Sequence, residues 1–228
     1  MMQATSSTPF QVAAVLLFVV AMLVLRALWV LRSIHLGSIV MRTRTSPLKT
    51  LVVLGSGGHT TEMLDLIKNL NPKRYTPVVY VIATTDTTTE HRFQAMGGRL
   101  PDSIWRIPRS REVGQSYSSS IVTTLYSFLH AIYLVGSVRP GLVLCNGPGT
   151  CLPIAVVAFV LRVLGVCECQ IVFVESFCRV TSLSLTGRLL YNLVDLFVVH
   201  WEPLLKKYPR SRLVSTFLPP SNNSTHLS

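Results

Sequence analysis

Acidic side chains are scarce in this chain: 10 Asp and Glu stand against 21 Lys and Arg, for a formal charge of +11. Such an imbalance calls for an anionic partner. Nucleic acid is the usual first candidate, but the basic residues do not cluster with aromatics in any recognition motif, so none is expected. Charge of either sign is sparse at 14%, while 49% of the 228 residues are apolar, which is greasy for a soluble domain. A membrane surface or a diphosphate fits that composition better. The five cysteines contain no Cys-x-x-Cys pair, and Cys167-Glu168-Cys169 is too close for a zinc knuckle. Their odd number and apolar surroundings suggest reduced, mostly buried thiols facing a cytosolic environment, with no metal site. Residues 1–9 carry no Lys or Arg and no small-residue cleavage site follows the apolar run, which argues against a cleavable signal peptide. Too few residues follow Trp201 for a second α/β domain.

What the chain does have is organised around Leu-Val-Val-Leu-Gly-Ser-Gly-Gly-His-Thr-Thr-Glu-Met, residues 51–63. Residues 51–54 read as a strand buried on both faces. Gly55, Gly57 and Gly58 permit a tight turn, and Thr60 or Thr61 can cap a helix running to about Leu70, stopped by Asn71-Pro72. A strand, a glycine turn and an exposed helix N-terminus cradle an anion, because unpaired N–H groups and the positive dipole end face it. Thr60 stands where the dinucleotide fingerprint has its third glycine, and no Gly-Lys-Ser/Thr follows. His59 is placed at the mouth of this cleft; the bland alternative is a tight turn with a solvated histidine.

Ahead of this unit, residues 10–31 are nearly unbroken hydrocarbon, interrupted by Gln11 and Arg26. About 20 residues span a bilayer core of ~30 Å. Arg26 can snorkel to the headgroups and Trp29 suits the interface. Arg26, Arg32, Arg42, Arg44 and Lys49 all follow or close the span, so the positive-inside rule places the N-terminus outside and the rest in the cytosol. Residues 32–49 then form a basic tether.

Further strands are expected at 77–83, 103–107, 141–145, 170–174 and 195–201, alternating with helices at 88–96, 118–138, 152–164 and 182–192. Asp86, after the second strand, is either a ligand carboxylate or a turn residue, the turn role being the simpler. Arg109 and Arg111 lie on the loop after the third strand, where they either grip a diphosphate or make a solvated or membrane-facing patch. Asn146-Gly147-Pro148-Gly149-Thr150 repeats the strand–glycine–helix arrangement, so both turns fall on one edge of a parallel sheet, where such folds bind ligands. Glu175 ends the next strand on that edge and either meets a sugar hydroxyl, caps a neighbouring helix, or pairs with Arg179. Residues 215–228, rich in Ser, Thr, Asn and Pro, read as disordered.

Residues 51–60, Ile107-Pro-Arg-Ser-Arg-Glu, 142–150 and Val174-Glu-Ser with Arg179 together resemble the membrane-anchor subunits of the dolichol-linked N-acetylglucosaminyltransferase, the fourteenth protein of the asparagine-linked glycosylation series. More distantly, Gly57-Gly58-His59 and the stretch 175–190 resemble the N-terminal half of the bacterial lipid-linked N-acetylglucosamine transferase. The resemblance implies an α/β, Rossmann-like, mostly parallel sheet, the N-terminal half of a GT-B glycosyltransferase, with one N-terminal transmembrane helix. It divides the chain into a lumenal lead (1–9), an anchor (10–31), a cytosolic tether (32–49), an acceptor-binding domain (50–212) and a polar tail (213–228). It implies an endoplasmic reticulum protein that binds dolichyl-diphosphate-GlcNAc and recruits a small cytosolic subunit carrying the UDP-GlcNAc site, and that contacts the preceding enzyme of the dolichol pathway. No cofactor is implied, and no activity is expected of the chain alone. Carried over by position, Ser56, Gly57, Gly58, Thr60, Arg109, Arg111, Asn146, Gly147, Gly149 and Thr150 would line the acceptor's diphosphate and sugar. His59 would be the candidate general base, and Glu175 a second candidate catalytic residue. The chain departs from the family after residue 212, where a polar tail with Pro219-Pro220 replaces a short apolar end. The rival readings are a membrane-tethered adaptor whose glycine loops are only turns, and a membrane reductase, which the missing third glycine disfavours.

Overall fold

Seven strands form one wholly parallel sheet in a computed structural model that describes residues 9–37, 46–89, 91–92, 100–110, 115–147 and 149–216. In chain order they are β1 (Thr50–Val53), β2 (Val78–Ala83), β3 (Ser103–Ile107), β4 (Leu142–Asn146), β5 (Gln170–Val174), β6 (Leu196–Val199) and β7 (Ser211–Leu213). They lie in the order β3-β2-β1-β4-β5-β6-β7. The direction of winding reverses between β1 and β4, which pair with Leu51 opposite Val143 and Val53 opposite Cys145. At such a reversal the connecting helices leave to opposite faces and open a crevice at the carboxyl ends of the strands.

The alternation of side chains along β1 shows how both faces are sealed. Leu51 and Val53 enter one core with Ala131, Leu134 and Val135 of α3 (Tyr117–Val138) and Ile154, Ala155 and Ala158 of α4 (Cys151–Val163). Val52 and Leu54 enter the other with Met63, Leu64 and Ile67 of α2 (Gly58–Lys68). β1, β2 and β4 are buried throughout, as expected of central parallel strands. Two short helices, α5 (Leu185–Leu190) and α6 (Glu202–Lys207), complete the connections.

The anchor segment is α1 (Pro9–His35), 27 residues long and apolar enough to cross a membrane. It is almost wholly exposed until its last turns, where Val30 and Ile34 bury against Val163 and Phe159 of α4. The helix therefore continues into what the sequence suggests is tether. Arg26 does not merely snorkel: its Nη2 donates to the Arg162 carbonyl at 3.3 Å, at the C-terminal end of α4, where the dipole favours a cation. The outer face of α3 leaves Ile121, Val122, Leu125, Leu129 and Tyr133 exposed, and residues 120–138 also have the length and composition of a membrane span.

Three local expectations change. Neither Thr60 nor Thr61 caps α2: Gly57 holds the N-cap position at φ +67° with no side-chain hydrogen bond. The helix expected over 182–192 starts only at Leu185, because the Ser184 hydroxyl accepts from the Gly187 N–H at 2.9 Å and sets the first turn there. The sheet extends one strand further than expected: Leu213, placed at the head of the polar tail, pairs with Val199 in β7, and Val214 packs on Val174 and Val198. Residues 1–8, 38–45 and 217–228 of the lead, tether and tail lie outside the described residues, as do residues 93–96 of the helix expected after Asp86.

Candidate functional site

The crevice at the β1/β4 reversal brings both glycine loops together around His59. Its Nδ1 lies 2.9 Å from Asn146 Oδ1, and its ring rests on Gly147. A Cβ on Gly147 would meet His59 Cγ at 3.0 Å, and Gly147 already sits at φ +97°. From the other side, a Cβ on Gly55 would meet His59 Cβ at 2.7 Å. The glycines of the two loops thus make the slot for the imidazole, in addition to any turn they form. Its side chain is 26% exposed, and among the described residues Nε2 has no hydrogen-bond partner.

Around this histidine, Ser56 and Gly58 are exposed and Gly57 is half-buried. With no side chain capping α2, the first N–H groups of that helix remain open toward the crevice. Thr60 is different: it is fully buried, its hydroxyl donating to the Gly55 carbonyl and sitting 3.0 Å from the Thr89 hydroxyl. That hydroxyl braces the turn and has no surface to offer a ligand. Asn146, Gly147 and Thr150 are buried in the second loop, with Gly149 half-buried. Arg109 is half-buried on the neighbouring loop, which Ser110 ties to the site by donating to the Gly149 carbonyl at 2.7 Å. Arg111 lies outside the described residues.

Glu175 is not among the groups gathered at His59. It is 1% exposed, with Oε2 accepting from the Ser184 N–H at 2.9 Å and the Ser184 hydroxyl at 3.1 Å, and Oε1 from the Ser176 N–H. A Cβ on Gly187 would come within 2.2 Å of that Oε2. Of the roles left open by the sequence, this is the geometry of the helix cap, with the serines rather than Arg179 as partners. Asp86 behaves similarly. Burial works against its ionisation, but hydrogen bonds from the hydroxyls and N–H groups of Thr89 and Thr88 outweigh it and hold the carboxyl below its ordinary value. It is a turn residue that caps the following segment.

Several site residues are not singled out by the sequence. Glu62 accepts from Asn146 Nδ2 at 3.0 Å and from the Phe177 N–H at 3.3 Å. The only signal for it was its spacing, one helical turn after His59. Arg92 brings its guanidinium to the glycine turn, donating to the Gly57 carbonyl and the Thr61 hydroxyl, both at 3.2 Å. Phe177, half exposed, rests on Trp201 with ring centroids 4.8 Å apart and on His200 at 5.4 Å. Burial pushes the His200 imidazole below its ordinary value, with Glu62 acting in the opposite sense. These depend on contacts between distant loops that no local pattern encodes. Among the described residues no cluster of His, Cys, Asp and Glu has the makings of a metal site.

Arranged this way, the crevice can hold an anion at the α2 N-terminus and receive a proton at His59. The comparisons with known proteins agree with the fold. The chain is similar to UDP-N-acetylglucosamine 2-epimerase from Listeria monocytogenes, described as putative, at 14% identity and TM-score 0.56. It is similar to MurG of Acinetobacter baumannii at 17% identity and TM-score 0.51. It covers 42% and 44% of those two chains, and they cover 72% of it in each case, so it spans under half the length of either. Sequence similarity is much higher to the human protein named UDP-N-acetylglucosamine transferase subunit ALG14, 45% identical over 85% of this chain and 91% of that one. The mouse protein of the same name is 47% identical over 74% and 82%, and that of Yarrowia lipolytica 38% over 85% and 92%. Residues 50–217 match the family described as oligosaccharide biosynthesis protein Alg14 like, and the chain belongs to that family.

Proposed function

We propose that this chain is the membrane-anchoring, acceptor-binding subunit of a UDP-GlcNAc:dolichyl-diphosphate-GlcNAc N-acetylglucosaminyltransferase. It recruits a soluble catalytic subunit to the cytosolic face of the endoplasmic reticulum, with its N-terminus lumenal. The observation that carries this reading is the joining of an uncapped helix N-terminus, the Arg92 guanidinium and His59 in one crevice. The acceptor diphosphate occupies the α2 N-terminus, lined by Ser56, Gly57 and Gly58, with Asn146, Gly147, Gly149 and Thr150 beside it and Arg109 on the adjacent loop. His59 takes the proton of the acceptor hydroxyl, whose oxygen bonds to the anomeric carbon as the sugar–phosphate bond breaks and its electron pair leaves on UDP. α1 supplies the membrane span, and the apolar outer face of α3 suits a domain lying against the bilayer.

The test uses membranes from cells expressing the chain, washed free of soluble protein and given dolichyl-diphosphate-GlcNAc and labelled UDP-GlcNAc. Chitobiosyl-lipid is expected only when cytosol, or the soluble partner, is added back. Product without cytosol would overturn the split-enzyme reading; no product with it would overturn the role in transfer and favour the adaptor.

A further inference from the structure

We infer that Glu62 is a positioning residue for His59: acting through the Asn146 amide, it holds the neutral imidazole as the Nδ1–H tautomer and leaves Nε2 as the lone-pair nitrogen. The chain of reasoning runs through three groups with fixed hydrogen-bonding roles. An ionised carboxylate only accepts, so the atom of Asn146 lying 3.0 Å from Glu62 Oε2 is its NH2. The same amide must then present its carbonyl oxygen to His59, 2.9 Å from Nδ1. A carbonyl also only accepts, so Nδ1 carries the hydrogen, and the remaining nitrogen of a neutral ring is a bare acceptor.

The geometry leaves little freedom for any alternative. Asn146 is fully buried, so its amide cannot trade these partners for water. The Cγ, Cδ2 and Nδ1 atoms of His59 lie 3.0 to 3.3 Å from the point where a Gly147 Cβ would stand, so the ring has no room to swing toward that loop. Glu62 is itself held by the Phe177 N–H at its other oxygen. It thereby ties helix α2 to the end of β4 and to the loop following β5. Its Oε2 also lies 3.8 Å from His59 Nδ1. Its role is accordingly that of orienter in a carboxylate–amide–imidazole relay, with no contact to substrate required.

This inference rests on His59 as the base, but its test does not. The full chain, with 15N-labelled histidine, is placed in lipid nanodiscs with its soluble partner, and the His59 resonances are assigned by their loss in His59→Gln. In the neutral state we expect a protonated Nδ1 and an unprotonated Nε2. Glu62→Met removes the acceptor and should give a mixture of tautomers, with kcat falling on the order of tenfold or more and KM for both substrates within about twofold. Glu62→Gln, which retains a carbonyl for Asn146, should fall between. A wild-type His59 protonated at Nε2, or a Glu62→Met tautomer the same as wild type, overturns the inference. Should Glu62→Met fail to fold, the wild-type and Glu62→Gln spectra decide alone. Normal turnover in His59→Gln would instead overturn the base role and leave the tautomer result standing.

Discussion

Gly147 is under two constraints at once, and each has its own consequence. Its φ of +97° is a conformation that side chains rarely adopt, and the space a Cβ would take is filled by the His59 ring. Strain of this kind costs about 1–3 kcal/mol in a non-glycine residue. Moving the imidazole by a fraction of an ångström weakens its bond to Asn146, and on the base role proposed for His59, misplacement by about 1 Å can cost on the order of 100-fold in rate. Gly147→Ala should therefore lower the melting temperature modestly but cut transfer far more steeply. Melts of the solubilised chain and assays of the complex at saturating partner separate the two effects. A variant with normal transfer despite a lowered melt would mean that His59 need not sit where Asn146 puts it.

At the scale of elements, the energetics concentrate where α4 meets the sheet. Arg162 is 7% exposed and donates from Nη1 to both carboxylate oxygens of Asp195 at 2.9 Å, while Asp195 Oδ2 also accepts from the Ile171 N–H at 2.8 Å. Removing one member of such a buried pair leaves an uncompensated charge and costs about 3–5 kcal/mol, whereas replacing both by apolar residues is often neutral. Arg162→Met alone should destabilise by that amount in denaturant melts, and Arg162→Met with Asp195→Leu should recover most of it; equal losses would show that the Asp195–Ile171 bond matters more than the ion pair. Neither residue stands out in the sequence. The elements themselves were legible wherever burial was two-sided: the Val-, Leu- and Ile-rich runs of β1, β2 and β4 announce central strands, and Gln170–Val174 is as expected; Ser103–Ile107 is also as expected, although Ile107 alone of its residues is buried. Elements set by remote partners were not. β7 is only Ser-Arg-Leu and exists because β6 offers it an edge, and the start of α5 depends on Glu175 holding Ser184 from nine residues away. The same division runs through the site: the glycine loops and His59 have a local pattern, while Glu62, Arg92 and His200 acquire their places only from the assembled crevice.

For the whole molecule, the decisive question is how firmly the domain is joined to its membrane helix. The sequence suggests a basic tether from residue 32, but α1 runs to His35 and its last turns are part of the packed structure, with Val30 and Ile34 under 3% exposed against Val163. Burying two such side chains contributes roughly 3–6 kcal/mol, and the Arg26 bond to the Arg162 carbonyl adds a polar link one turn earlier. With α1 in a bilayer, as proposed, the crevice would have a set height and orientation above it, which a flexible tether would not give. For the lipid-borne acceptor proposed above this would matter, because a near-attack geometry has to be reached from a plane. Val30→Ala with Ile34→Ala should keep the chain in the membrane fraction, since residues 10–29 are untouched, and should leave recruitment of the soluble partner intact. It should lower the melting temperature and reduce transfer to lipid-borne acceptor severalfold, while transfer to a short-chain, water-dispersed acceptor changes much less. Equal losses on both acceptors would assign the effect to the fold of α4 rather than to the placement of the crevice above the membrane.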